Sequence, residues 1–410
     1  MVKYLWVGSY LNDECSRTMN AIGYNNAASI VSQQNYVDGI ESILNDSFDI
    51  ISVLSFNGYP SERIIKLDTY YYNHGQHGKG EIVGFLNLRY INKISSIKAT
   101  ITAVRNWIKN NKKEDIEVFV YELRSVCLAA AKYIKKKIPN SKIHLFVPDL
   151  PEFMDLHMSR FKKMLKKIDA NIIKRNINYI DYYILYASPM AERLQLNEKK
   201  WLCCEGSINV KEIDKIRYIT NQNCKRSEKI ILMYSGMVNF GYGIQELIDS
   251  LGLLNDKFEL WITGSGDAKD YVVSESRKNK TIKYYGFLPT RDELLNLQSK
   301  SSIFINLRNP KEEASKYCFP SKLFEYLMIG KPIVSCRLGG IPNEYDTYIY
   351  YINELKAEDI ARMVQKISLF SIEELEKIKE DQQKFVSSNK SNIQQSKNIL
   401  KFVGIVNNKV

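Results

Sequence analysis

The sequence predicts an α/β fold of two doubly wound parallel sheets facing a cleft, on three observations. Strand-like and helix-like segments alternate almost throughout, which implies parallel strands with helices on both faces. The alternation stops at a polar stretch near residues 206–228 and then restarts. At 410 residues the chain also exceeds one ordinary core and suits about two domains.

The elements follow in order. MVKYLWVGSY, FDIISVLSF, IEVFVYEL, KIHLFVPDL and YYILYAS read as buried strands of a first domain over residues 1–205. GSINVKEIDKIRYITNQNCKRSEK is polar, and residues 206–228 are expected as a linker. A second domain over residues 229–370 has strands KIILMYSG, FELWITGSG, IKYYGFL, SIFINL and KPIVSC. Its helices are IQELIDSLGLL, TRDELLNLQSK and PSKLFEYLMIG. Residues 371–410 form charged C-terminal helices, candidates to pack back across both domains. No repeat of solenoid length is present.

Composition narrows the function. Hydrophobic residues at 45% and aromatics at 11% suffice for two cores, which excludes a disordered chain. No run of about 18 apolar residues is available to span a membrane. The start, MVKYLWVGSYLNDEC, turns polar too soon for a signal peptide. Seven cysteines at irregular spacings support neither a disulfide framework nor a zinc site, and fit a reducing cytosol. The net charge of +12 points to an anionic partner. The basic residues are not grouped on a known reader element, so nucleic acid is not the expected partner. No G-x-G-x-x-G follows the first strand, which disfavours an oxidoreductase.

The most informative stretch is SKYCFPSKLFEYLMIGKPIVS, residues 315–335. Pro320 fits a first helical position, and Gly330 followed by Pro332 ends the helix. A strand on each side places the helix start at the strand ends, where open parallel sheets bind ligands. Free amides and the positive helix end suit an anion, and Lys322 adds a full charge. Glu325 lies three and four residues after Lys322 and Ser321, on the same face. A carboxylate there can accept two hydrogen bonds from a vicinal diol such as a ribose. An anion site one turn from a diol acceptor suits a nucleoside diphosphate. An internal Lys322–Glu325 ion pair is the competing structural reading. A capping box is excluded because position 324 is Phe.

These residues resemble retaining GT-B glycosyltransferases of family 4 (group 1), especially the bacterial capsule and exopolysaccharide branch. YSGMVNFGYGIQELIDSLGLL, LWITGSGDAKDYV, IKYYGFLPTRDELLNLQSKSSIFINL and KYCFPSKLFEYLMIGKPIVSCRLGGIPNEY follow the family order. LFVPDLPEFM and WLCCEGSINV resemble landmarks of the first half. The resemblance implies two Rossmann-like domains. Glu325 would hold the donor ribose; Pro320, Ser321 and Lys322 would form the diphosphate cradle, with Lys322 aiding departure of the leaving group. Gly236 would let the backbone approach the phosphates, and Gly286 and Phe287 would lie against the base. Gly264 and Gly266 flank a turn that reads equally well as a plain strand–helix connection.

The departures from the family also matter. Tyr317 stands where the first of two acids is usual, with Glu312 and Glu313 close enough in sequence to substitute. Met237 and Tyr242 replace the basic pair of the first glycine loop, which leaves Lys322, the helix end and Arg308 for the diphosphate. Arg308 reads equally well as a surface residue. Asp149, in LFVPDLPEFM, is the acceptor-side candidate, with a plain strand-end cap as its alternative.

The resemblance implies no metal, and no cofactor is expected beyond the nucleotide-sugar substrate. His74 and His77, in YYYNHGQHGKG, read as part of a solvated or lid loop rather than a metal pair. Residues 155–175 combine a stripe of Met158, Phe161, Leu165, Ile168 and Ile172 with a crowd of Lys and Arg. They are a candidate for an anionic membrane surface, and equally for an ordinary amphipathic helix. The expected function is transfer of a sugar from a nucleotide sugar, UDP-linked, to a glycan or polyprenyl-diphosphate-linked acceptor in surface-polysaccharide synthesis. The expected location is the cytoplasm or the inner face of the plasma membrane. The rivals are a nucleotide-sugar epimerase of the same architecture and a non-catalytic nucleotide-sugar-binding or scaffold protein.

Overall fold

The structure is a computed structural model describing residues 2–24, 26–111, 115–153, 169–222 and 228–406. It divides into two units, Met1–Ser207 with Asn392–Val410, and Ile208–Ser391.

In the first unit β1 (Val2–Gly8), β2 (Asp49–Ser52), β3 (Lys66–Leu67), β4 (Tyr70–His74), β5 (Gly78–Ile82) and β6 (Phe85–Leu86) precede β7 (Asp115–Tyr121). β8 (Lys142–Val147), β9 (Tyr182–Leu185) and β10 (Trp201–Cys203) complete the set. Eight of them form one sheet in the order β10-β9-β8-β7-β1-β2-β5-β4, while β3 pairs with β6. All pairs of the main sheet are parallel except the β4–β5 hairpin. The alternating apolar residues of β1, β7 and β8 bury Trp6, Phe119, Tyr121 and Phe146 in one aromatic core. Such rings bring large buried area with defined geometry.

The hairpin corrects one expectation. YYYNHGQHGKG is a β-hairpin and not a loop throughout: His74 is buried, its Nε2 2.8 Å from Glu41 Oε1 and its ring edge-on to Tyr10, while His77 is exposed on the turn. The glycines of this stretch read as loop residues, whereas Gly78 and Gly80 lie in β5.

In the second unit β11 (Ile230–Ser235), β12 (Phe258–Thr263), β13 (Ile282–Gly286), β14 (Ile303–Asn306), β15 (Ile333–Cys336) and β16 (Tyr350–Ile352) form an all-parallel sheet in the order β13-β12-β11-β14-β15-β16. Strand order reverses between β11 and β14. Carboxyl ends at such a switch point are where open α/β sheets bind ligands.

The expected linker is largely structured. Val210–Gln222 is a helix whose Ile213 and Ile216 enter the core of the second unit. Its polar exposed face hid a short apolar stripe of Ile213, Ile216 and Ile219. The C-terminal helices also divide differently from the expected 371–410 block. Ile372–Phe385 belongs to the second unit, whereas Asn392–Phe402 belongs to the first and packs on the helix Ala27–Leu44. That packing needs Gly39, where a Cβ would collide with the Asn392 carbonyl. A turn of π-helix, Val386–Lys390, separates the two helices.

Of the basic segment, Met158, Phe161, Leu165 and Ile168 lie outside the described residues. Residues 169–176 are helical, with Lys174 and Arg175 exposed. Among the described residues no helix is long and apolar enough to cross a membrane.

Candidate functional site

The helix Lys322–Ile329 is buried from Leu323 through Ile329, which its unbroken apolar run demands. Tyr326 stacks on Phe304 of β14 with ring centroids 4.1 Å apart. Gly330 closes the helix at φ 78°, and its amide bonds the Tyr326 carbonyl. One expectation shifts at the start. Pro320 precedes the helix rather than opening it, and Ser321 is the cap. The Leu323 amide bonds the Pro320 carbonyl at 2.9 Å, so the first turn is tight and begins at the proline. The first amides of a helix lack intrahelical partners, and here they sit at the carboxyl edge of the switch-point strands.

Glu325 is 6% exposed. Gln298 Nε2 donates to its Oε1 at 2.6 Å. Lys322 Nζ lies 3.5 Å from Oε1 and Arg291 Nη2 3.5 Å from Oε2. Arg291 also reaches Glu212 at 3.0 Å. The Lys322–Glu325 ion pair of the competing reading is therefore present, within a wider network that also holds a second cation and a buried amide. A buried carboxylate needs such partners. Both cations are partly exposed, Lys322 at 38% and Arg291 at 41%, so they can turn toward a ligand. Arg291 and Gln298 escaped the sequence reading. Their helix, Arg291–Ser299, has an ordinary amphipathic pattern with a Thr290 cap, and only its spacing from the strand ends could have flagged them.

Three of the four candidate glycines lie together at the ends of β11, β12 and β13. The Gly236 amide bonds the Thr263 carbonyl at 3.1 Å, and the Gly264 amide bonds the Gly286 carbonyl at 2.8 Å. Thr263 Oγ1 donates to that same carbonyl at 2.7 Å. Gly264 has φ +127° and no room for a side chain, because a Cβ would overlap the Gly236 carbonyl. Gly266 packs on the Val238 backbone, the Asp267 amide donates to Asn239 Oδ1 at 3.1 Å, and the Phe240 amide donates to Asp267 Oδ1 at 3.0 Å. The GSG turn thus interlocks with the first glycine loop. Phe287 is 77% exposed beyond Gly286, and Met237 and Phe240 are exposed on the first loop. These apolar side chains suit a flat base.

The segment after β14 brings the remaining candidates. The Arg308 guanidinium lies 5.1 Å from the centre of the Tyr242 ring and is half-buried, so it is not a simple surface residue. Glu313 and Tyr317 bound a 3-10 turn preceded by Glu312. Glu313 is exposed, whereas Glu312 approaches Gly241, its Oε1 3.0 Å from where a Cβ would stand. Of the two acids near the Tyr317 position, Glu312 is the one against the glycine loop.

Asp149 belongs to the first unit. It is exposed at the end of β8 and lines a cavity of about 340 Å³ with Phe56, Phe85, Glu122, Arg124 and Ser125. Glu122, unforeseen in the sequence, holds φ +77° at the end of β7, uncommon for a residue with a side chain. Its carboxylate accepts from Ser29 at 2.8 Å and pairs with Arg124 at 2.7 Å. Among the described residues no group of three His, Cys, Asp or Glu side chains is placed to hold a metal ion.

Comparison with known proteins agrees with this architecture. Residues 228–369 match the family model of the glycosyl transferases group 1. No curated protein sequence matches the chain. Among solved structures, the lipopolysaccharide outer core galactosyltransferase WaaB is 12% identical with a TM-score of 0.62, covering 99% of both chains. HepE from Anabaena, in complex with UDP, is 12% identical with a TM-score of 0.60, covering 98% of this chain and 100% of that one. Sucrose-phosphate synthase from Thermosynechococcus elongatus is 11% identical with a TM-score of 0.65, covering 98% of both. The two Rossmann-like sheets are those of the GT-B fold. The group 1 domain within it makes this chain a transferase of the glycosyltransferase type.

Proposed function

We propose that this chain moves a sugar from a UDP-sugar to a glycan or polyprenyl-diphosphate-linked acceptor, with retention at the anomeric carbon and without a bound metal. The observation that carries the reading is Glu325, buried at the switch point one turn into a helix that begins with Ser321 and Lys322. The amides of that first turn and Lys322 receive the diphosphate, and the Glu325 carboxylate accepts the ribose hydroxyls. UDP is favoured because HepE, of the same fold, holds UDP. Surface polysaccharide is favoured because WaaB acts on the lipopolysaccharide outer core.

As the sugar–phosphate bond breaks, negative charge grows on the diphosphate and positive charge on the sugar. A fixed helix end and Lys322 favour that state over the ground state, and such donors are each worth about 3 kcal/mol. The departing phosphate then takes the acceptor proton, consistent with retention. On the acceptor side the candidates are Asp149 and Glu122, with the aromatic Phe56 and Phe85 offering a face to a sugar ring. The net charge of +12 and the basic segment 155–175 support a seat on the anionic inner face of the plasma membrane.

Thermal shift against UDP- and GDP-sugars, followed by transfer of the labelled sugar to a lipid-linked glycan, tests the reading. Stabilisation by a UDP-sugar and a labelled glycan product support it. No stabilisation by any nucleotide, or an altered nucleotide sugar with no acceptor product, overturns it.

A further inference from the structure

We infer that Gln298 is a positioning residue for the donor. Its side-chain amide holds the Glu325 carboxylate in place and ties it to the end of β11, next to Gly236. The inference rests on the reading of Glu325 given above.

Gln298 is 0% exposed, one residue from the end of the helix Arg291–Ser299. Its Nε2 donates at once to Glu325 Oε1 at 2.6 Å and to Ser235 Oγ at 3.0 Å. Its Oε1 is buried without a hydrogen-bond partner. Turning the amide over would set its oxygen against the Glu325 carboxylate and lose that hydrogen bond, so the acid fixes the orientation. A side chain kept in an orientation that orphans one polar atom gains more from the other.

The rest of the network is directional. Ser235 Oγ accepts from Gln298 and lies 2.9 Å from Tyr326 Oη, to which it donates when the one Tyr326 proton is given to the Ser235 carbonyl. Tyr326 in turn donates to the Ser235 carbonyl at 3.2 Å. Three elements are locked together by this chain: the end of β11, the helix that carries Gln298 and the helix that carries Glu325. Ser235 directly precedes Gly236. One buried amide therefore sets the spacing between the diol acceptor and the glycine at which the backbone approaches the phosphates. A Leu or Met of similar volume would fill the space but leave the carboxylate free to turn toward Arg291 or Lys322.

The test measures UDP affinity by calorimetry on the full chain, for the wild type and for Gln298→Leu, Gln298→Glu and Glu325→Ala, each checked for folding by its melting transition. Gln298→Leu is expected to bind UDP about tenfold more weakly, the loss of one hydrogen bond to a charged group. In turnover it raises KM while kcat changes little. Gln298→Glu gives the diagnostic signature. When protonated, the introduced carboxyl donates one bond as the amide does. When ionised, it repels Glu325, although Arg291 and Lys322 face the same carboxylate and temper the effect. Its UDP affinity should therefore fall tenfold or more between pH 5 and pH 8 relative to the wild type, a change that mere packing at position 298 would not cause.

Folded Gln298 variants that match the wild type at each pH overturn the inference. If wild-type binding is strong and Glu325→Ala weakens it while the Gln298 variants do not, the positioning role alone fails. If Glu325→Ala leaves binding unchanged, the ribose reading and the inference fail together. Should neither Gln298 variant fold, Ser235→Ala removes the second anchor. A several-fold weaker UDP affinity is then expected, and an unchanged one overturns the inference.

Discussion

Glu325→Ala separates a ribose clasp from a structural ion pair. The carboxylate would accept two hydroxyl hydrogen bonds, and a bond to a charged group is worth about 1.5 kcal/mol at the low end. Losing both costs about 3 kcal/mol, or about 140-fold in affinity at 1.4 kcal/mol per factor of ten. The cations at 3.5 Å are partly exposed and rehydrate when the carboxylate is gone, so they do not add a large buried-charge penalty. Gln298 loses one acceptor but keeps Ser235, which costs about 1–2 kcal/mol of stability and leaves the unit folded. Calorimetry with UDP and with 2′,3′-dideoxy-UDP forms a chemical double-mutant cycle. The variant should lose about two orders of magnitude for UDP and almost nothing for the dideoxy analogue. Equal losses for both nucleotides would place Glu325 in the structure of the site and not on the ribose.

Other consequences are open to measurement. Lys322→Ala should lower kcat about 100-fold with little change in KM, since the charge on the leaving diphosphate grows only as the bond breaks; parallel losses in both would indicate ground-state binding alone. Gly264→Ala forces a Cβ onto the Gly236 carbonyl at φ +127°. It should cost about 2–4 kcal/mol, lower the Tm by several degrees and weaken UDP binding, and a wild-type Tm would contradict the close approach. The Cys336 thiol is pushed up to about 11 by burial. Iodoacetamide at pH 8 should therefore spare Cys336 in the native protein and label it in urea, and native labelling would show that the end of β15 opens.

The strands were legible because both sheets are mainly parallel and buried on two faces, which writes near-continuous apolar runs such as KIILMY and IEVFVY into the chain. The helix around Glu325 was legible because one acid inside an apolar run between two strands has few packing explanations. The partners of that acid were not. Arg291 and Gln298 come from a separate helix, and only the β11–β14 switch brings them beside Glu325. Glu122 was equally hidden, since a positive φ at the end of β7 leaves no trace in residue type. The helix Val210–Gln222 was missed because Ile213, Ile216 and Ile219 are too sparse a stripe against so many charges. The hairpin at His74 was missed because glycines there suggested a loop, whereas Gly78 and Gly80 are strand residues.

A crystal structure of the chain with UDP bound would show most directly where the nucleotide sits. The account predicts phosphate oxygens within hydrogen-bond distance of the Ser321 and Lys322 amides, and both ribose hydroxyls on the Glu325 carboxylate. A nucleotide seated elsewhere, or a ribose turned away from a Glu325 still held by Lys322 and Arg291, would contradict it.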